Sequence, residues 1–427
     1  MNIALLFGVF FVLIMLSVPI GVALGVATSL TIVLTSNIGP VMVAQKAFTG
    51  LDSFTLIAIP FFMLAGNLMA LGGIAKRIVK MADAAVGKFT GGLGMATTIG
   101  CMFFAAISGS GPATVTAMGS IMIPEMEKRG YDKPFATGLT ATAGTIGVII
   151  PPSIPFVIYG VASGTSVGDM FKAGVIPGIL IGIALMIVCY VISKKRGYRG
   201  AEKNKEESEG FLKTFLDCLP ALLAPVIILG GIYGGIFTPT EAAVVATVYS
   251  LIVGKFVYHE LTWKIVVESY RSTADMNGFT GLALGFSMSF AAYLAMEQIP
   301  AKVANALLSA VSADWILILL IIVILLVVGC FVDNISSCLI LTPVFLPLVT
   351  GMGMSPVHFG IMMTVALAIG FVTPPYGVNL FVASAVAKLK IEQVSKAAIP
   401  FILAMLVCLL LIAYIEPISM GLVWLLG

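Results

Sequence analysis

Apolar residues run through the chain in long blocks separated by short polar stretches, at about 3–35, 53–74, 92–123, 135–162, 173–193, 215–236, 240–257, 277–297, 301–312, 315–350, 357–386 and 397–415. A helix needs about 20 such residues to cross roughly 30 Å of hydrocarbon, so most blocks predict one membrane element each. The first would be about 50 Å long as a single helix, and predicts two spans meeting near Pro19. Blocks 92–123 and 315–350 also exceed one span, and each has a polar centre, SGSGPAT at 108–114 and VDNISS at 332–337. Non-helical backbone at membrane depth survives only where protein buries it or where it lines a cavity, so both blocks are expected to be re-entrant helical hairpins. Blocks 135–162 and 357–386 each contain a Pro-Pro pair and predict broken helices. The fold class is therefore an all-α polytopic membrane protein.

Composition removes the alternatives. Of 427 residues, 59% are hydrophobic and 10% charged, against roughly 25% charged in a soluble domain. No basic stripe with interleaved aromatics offers a nucleic-acid surface. The six cysteines lack CxxC spacing, and two histidines are too few for most metal chemistry. The N-terminal run has no basic n-region or small-residue cleavage site, and is expected to be a retained span. If each hairpin enters and leaves on one side, 20 of the 23 Lys and Arg residues fall on one face, with Lys46, Lys172 and Lys302 on the other. That makes the basic face cytoplasmic and puts both termini outside. Segment 194–213 reads as a solvated cytoplasmic linker between two halves. Trp263, Trp315 and Trp424 are expected at span ends; Glu297, Lys302 and His358 are expected at the outer interface.

The halves repeat. At a fixed offset of 223 residues, 124–177 aligns with 347–400 without gaps, matching Pro124 with Pro347, Gly147 with Gly370, Pro151-Pro152 with Pro374-Pro375 and Pro177 with Pro400. One copy opens on the charged inner face and the other, PLVTGMGMSP, on the uncharged outer face. Inverted repeats with discontinuous helices, and a site between them near the midplane, are the pattern of secondary transporters.

Chemistry concentrates at the breaks. The prolines lack N–H groups, so carbonyls around Gly147–Ile150 and Gly370–Thr373 lose their helical donors, and hard oxygens buried in a bilayer suit a monovalent cation. At the hairpin tips, Ser108, Gly109, Ser110 and Gly111 precede one half-helix, and Asp333, Asn334, Ser336 and Ser337 open the other; half-helix N-termini favour an anion. An intramembrane acid such as Asp333 is expected to be functional, and capping its own half-helix is compatible with that. Glu241 reads as a helix-start residue, with Thr240 as the cap. A serine protease built on Ser108 or Ser110 would lack a general base nearby, and a channel filter would need symmetry between chains.

SGSGPATVTAMGSIMIPEM, GTIGVIIPPSIPFVIYG, VGDMFKAGVIPG, GGIFTPTEAAVVA, VDNISSCLILTPVFLP and GFVTPPYGVNLFVAS together resemble the large membrane (M) subunit of the tripartite ATP-independent periplasmic (TRAP) transporters, over essentially the whole chain. The resemblance implies a non-enzymatic, Na⁺-coupled importer of the bacterial inner membrane with an elevator mechanism. It also implies a small four-helix membrane (Q) subunit, here on a separate chain, and a periplasmic binding protein delivering a carboxylated solute of the sialic-acid or C4-dicarboxylate type, with a lean toward sialic acid. The scaffold would be 1–88 and 214–300, and the transport domain 89–193 and 301–427. Ser108, Ser153 and Asp333 would sit by the solute, with Ser110, Asn334 and Asn379 counted beside them. One Na⁺ site would use the first tip (Ser108, Ser110) with Gly147, Ile150 and Pro152. The other would use Gly329, Gly370, Thr373 and Tyr376, near Asp333. A stand-alone Na⁺/dicarboxylate symporter is the alternative.

Overall fold

The computed structural model describes residues 2–16, 18–36, 39–198, 211–310 and 313–427. Most of the expected linker, 199–210, lies outside the described residues. Every regular element among those described is helical, and eight helices are long and apolar enough to span a membrane. The first block divides as expected, into Asn2–Met15 and Ile20–Thr35, with Pro19 at the cap of the second.

The repeat extends well beyond the stretch where the sequence shows it. The first half runs Asn2–Met15, Ile20–Thr35, Val41–Leu51 with Ala58–Leu71, Ile74–Val86, Gly92–Ser108, Gly111–Lys128, a broken helix and Val167–Arg196. The second runs Phe211–Tyr233, Pro239–Ile252, Trp263–Met296, Ile299–Ala310, Asp314–Phe331, Asn334–Gly351, a broken helix and Ile391–Tyr414. Adding 223 to Gly111–Lys128 gives the bounds of Asn334–Gly351.

Both breaks fall where proline removes a donor. Lys133–Gly144 tightens into a 3₁₀ turn over Thr145–Val148, and the helix resumes at Ile154–Ser163. Pro356–Gly370 stops before Pro374-Pro375 and resumes at Val378–Ala387. The helical donors for the Gly147 and Gly370 carbonyls would be residues 151 and 374, both proline. Local groups cover other carbonyls: Ser153 Oγ donates to Val148 O at 2.6 Å, Thr373 Oγ1 to Ile369 O at 2.8 Å and Asn379 N to Phe371 O at 3.0 Å.

Several expectations need correction. Most of the polar stretch expected between blocks 53–74 and 92–123 belongs to the helix Ile74–Val86, which buries Ile74, Ala75, Ile78, Val79, Met81 and Ala82 on one face. A further helix, Pro417–Leu426, follows the last block. The cap near Glu241 is Thr238, not Thr240: Thr238 and Glu241 form a reciprocal capping box, while Thr240 Oγ1 reaches Phe54 O at 3.1 Å. His358 is buried and not interfacial. Its ring nitrogens lie 2.6 Å from Ser419 Oγ and 3.1 Å from Ala413 O, so the C-terminal helices supply partners that no local pattern reveals. The three tryptophans are exposed at 72%, 61% and 58%, as membrane anchors require.

Charge pairs tie together segments assigned to the basic face. Arg77 meets Glu260 at 2.7 Å and Asp217 at 3.4 Å, Arg129 meets Asp83 at 3.0 Å, and Arg196 meets Asp132 at 2.8 Å. Burial opposes the charge on Arg129, yet hydrogen bonding and attraction from Asp83, with Glu125, leave its pKa raised.

Candidate functional site

The two tips and the two breaks open onto one cavity of about 690 Å³. Gly109, Ser110 and Pro112 come from the first hairpin, and Phe331, Asp333, Asn334 and Ile335 from the second. Val148, Ile154 and Pro155 belong to the first broken helix, and Phe371, Tyr376 and Val378 to the second. The opposite wall comes from Ile14, from 18–21 and from 276–283 of the long helix Trp263–Met296. It is apolar except for Thr280. Helices Ile20–Thr35 and Trp263–Met296 pack so tightly there that a Cβ on Gly21 would lie 2.8 Å from Ala283 Cα. Polar groups are thus concentrated on the hairpin wall, and Asp333 is the single charged residue among the described residues of the lining.

The first tip is held against the first break. Gly109 has a φ of +60°, where glycine avoids the Cβ penalty, and its carbonyl accepts Ile154 N–H at 3.2 Å. Ser110 caps Gly111–Lys128 through a long 3.5 Å contact from Ala113 N. A Cβ on Gly147 would sit 2.5 Å from Ser110 O and 2.6 Å from Thr114 Oγ1, so only glycine allows this approach. Ser108, Ser110, Gly147 and Pro152 are therefore neighbours. Ile150 turns its side chain onto Gly178, away from the tip.

Thr114 escaped the sequence reading. Its hydroxyl donates to Ser110 O at 2.8 Å and lies 3.1 Å from Ser108 Oγ. Its position four residues after Ser110 on a half-helix was the available signal.

The second tip has its own close approach. A Cβ on Gly370 would lie 2.3 Å from the Gly329 carbonyl carbon, so these glycines bring helix backbones into contact. Thr373 follows within the same break, whereas Tyr376 is 55% exposed, tilted against Phe381 at 5.4 Å between ring centroids. Asp333 caps Asn334–Gly351 by accepting Ser336 N–H at 3.0 Å. Asn334 is buried with neither carboxamide atom hydrogen-bonded, and Ser336 Oγ is also without a partner.

Among residues expected beside the solute, Ser110, Asp333 and Asn334 line the cavity, while Ser108, Ser153 and Asn379 lie buried behind it. Ser108 and Ser153 spend their hydroxyls on neighbouring protein groups. Asn379 crosses between repeats: its Nδ2 donates to Ala141 O at 3.3 Å, and its Oδ1 has no partner.

Two helical hairpins and two broken helices around a shared cavity define a multi-pass membrane transporter. The YdaH transporter of Alcanivorax borkumensis shares this fold, with a TM-score of 0.64 at 14% identity over 90% of this chain and 88% of that one. The chain belongs to the tripartite ATP-independent periplasmic transporter family, whose DctM-component model matches residues 7–418. Among its relatives, the isethionate TRAP transporter permease DctMQ of Oleidesulfovibrio alaskensis is 47% identical over 97% of this chain, which spans 65% of that protein. The C4-dicarboxylate TRAP transporter large permease DctM of Pseudomonas aeruginosa is 41% identical over 94% of this chain and 93% of its own length. Family and spans place the chain in the bacterial inner membrane.

Proposed function

We propose that the chain is the large permease subunit of a Na⁺-coupled importer of small organic anions. A lining with one acid and no Lys, Arg or His carries this reading. An anion entering such a cavity needs positive potential from elsewhere. Two half-helix N-termini supply part of it, and bound cations supply the rest. The oxygens suit Na⁺: they are neutral or carboxylate, they converge at each tip, and buried carboxamides at Asn334 and Asn379 retain acceptors without donors. The first site takes oxygens around Ser108, Ser110, Gly147, Ile150 and Pro152, and the second those around Gly329, Asp333, Gly370, Thr373 and Tyr376.

The solute belongs to the sulfonate or carboxylate class that the relatives' names indicate, C4-dicarboxylates included. Sialic acid, toward which the motifs lean, carries the same anionic group. A Q subunit and a periplasmic binding protein complete the system. The name DctMQ and the family's tripartite description favour this over a stand-alone symporter.

The asymmetry of the cavity supports an elevator. The wall built from 89–193 and 301–427 holds the polar groups and moves with the solute, while the apolar wall built from 1–88 and 214–300 stays fixed. The test is uptake of labelled isethionate and succinate into proteoliposomes containing the chain with Q and binding protein, under a Na⁺ gradient. Uptake that collapses when choline replaces Na⁺ is expected; uptake unchanged in choline overturns the reading. Full-rate transport by this chain alone would favour the stand-alone symporter.

A further inference from the structure

The two hairpin tips are related by the 223-residue offset, which pairs Gly111 with Asn334. Each is the first residue of an 18-residue half-helix. In the second repeat, that position supplies a buried carboxamide with an unpartnered oxygen. In the first repeat it supplies no side chain, yet the space is filled. A Cβ on Gly111 would lie 3.2 Å from Asn379 Nδ2 and 3.3 Å from Asn379 Oδ1, with Gly144 O at 3.4 Å. Asn379 comes from the resumed half of the other repeat's broken helix, and its own counterpart at the offset is the buried, apolar Phe156. Each tip therefore has one carboxamide, contributed locally in one repeat and across the pseudo-symmetry in the other.

The orientation of this amide follows from chemistry. Ala141 O accepts a hydrogen bond, so the nitrogen of Asn379 must face it and the oxygen must face away. That oxygen is fully buried and has no donor. A buried acceptor left without a donor is destabilising, and a bound cation relieves that cost.

We propose that Asn379 is a ligand of the first-repeat Na⁺ site, supplied in trans by the second repeat, and the functional equivalent of Asn334. The inference rests on the Na⁺-coupled reading and replaces a solute-contact role for Asn379. Na⁺ at the first tip then draws the second broken helix onto the first hairpin, so occupancy of one site shapes the wall that carries the other. The carboxamide also explains the glycine at 111: a side chain there would occupy its place.

The test measures Na⁺ binding without transport. The purified full chain is melted at increasing Na⁺, with choline holding ionic strength constant, and the Na⁺ concentration giving half the maximal stabilisation is read. Asn379→Ala is expected to raise that concentration about tenfold, the effect of losing about 1.4 kcal/mol of binding. Gly111→Asn combined with Asn379→Ala moves the carboxamide to the position it occupies in the second repeat, and is expected to recover most of the loss. If the alanine chain does not survive purification, Asn379→Ser is expected to give about a threefold increase by the same conversion. A Na⁺ dependence unchanged in Asn379→Ala or Asn379→Ser overturns the proposal. So does a loss that Gly111→Asn leaves untouched, because Asn379 would then only brace Ala141. Absence of Na⁺-dependent stabilisation in the unmodified chain overturns the Na⁺ reading itself.

Discussion

The two hairpins share a backbone plan and differ in what they present. The first is neutral at its tip, capped by the long Ser110 contact at 3.5 Å, and anchored at its base by Arg129 to Asp83. The second is acidic at its tip, capped by Asp333 at 3.0 Å, and uncharged at its base, where Met352 occupies the position equivalent to Arg129. Their close glycine contacts differ as well. Gly147 meets the turn at Ser110, whereas Gly370 meets the last turn of the helix Asp314–Phe331 at Gly329. One geometry thus carries two chemistries: a neutral site in the first repeat and an acidic one in the second.

Gly370→Ala should be the most damaging change. Its Cβ would strike the Cα, carbonyl carbon and oxygen of Gly329 together, costing about 1–3 kcal/mol and lowering uptake about a hundredfold or more. Gly147→Ala meets the Ser110 carbonyl and the Thr114 hydroxyl, one of them on a side chain, and is expected to lose about tenfold. Parallel melting and uptake measurements check the pair; equal losses would erase the distinction between the two glycine contacts.

Next comes Asp333→Asn. Asparagine caps a helix about as well as aspartate, so stability should change by less than about 0.5 kcal/mol while uptake falls about thirtyfold through lost charge. Ser110→Ala removes only a long neutral cap, with about 0.5 kcal/mol of stability and about threefold in uptake expected to go with it. If Asp333→Asn lost stability and uptake in proportion, as read by melting and uptake together, Asp333 would be a cap alone.

The smallest expected effect on uptake is at the base. Arg129→Ala takes the guanidinium away from Asp83, whose side chain is 12% exposed. The partial exposure of Arg129 reduces the cost of a broken buried pair to about 1–2 kcal/mol, visible in melting, with uptake down about twofold. Met352→Ala should leave the salt dependence of melting unchanged, whereas Arg129→Ala should reduce it.

The elements around the site were legible because their causes are local. Proline pairs break helices wherever they stand, and polar centres such as SGSGPAT and VDNISS interrupt spans too long for one crossing. The repeat was legible only over 124–177, where prolines and glycines preserve it; elsewhere the halves keep matching helices with different side chains. Contacts between distant segments were hidden. Nothing near Asn379 announces Gly111, and nothing near His358 announces Ser419. Thr238 displaced Thr240 as the cap because Pro239 takes the first helical position, putting the cap two residues earlier than expected.

The central claim is that cations supply the positive charge this cavity lacks. Its most direct test is simultaneous uptake of radiolabelled Na⁺ and labelled solute into proteoliposomes containing the chain, Q and binding protein. The account predicts that solute accelerates Na⁺ entry, Na⁺ is required for solute entry, and Asp333→Asn depresses both fluxes together. Solute entry without accompanying Na⁺ flux would contradict it.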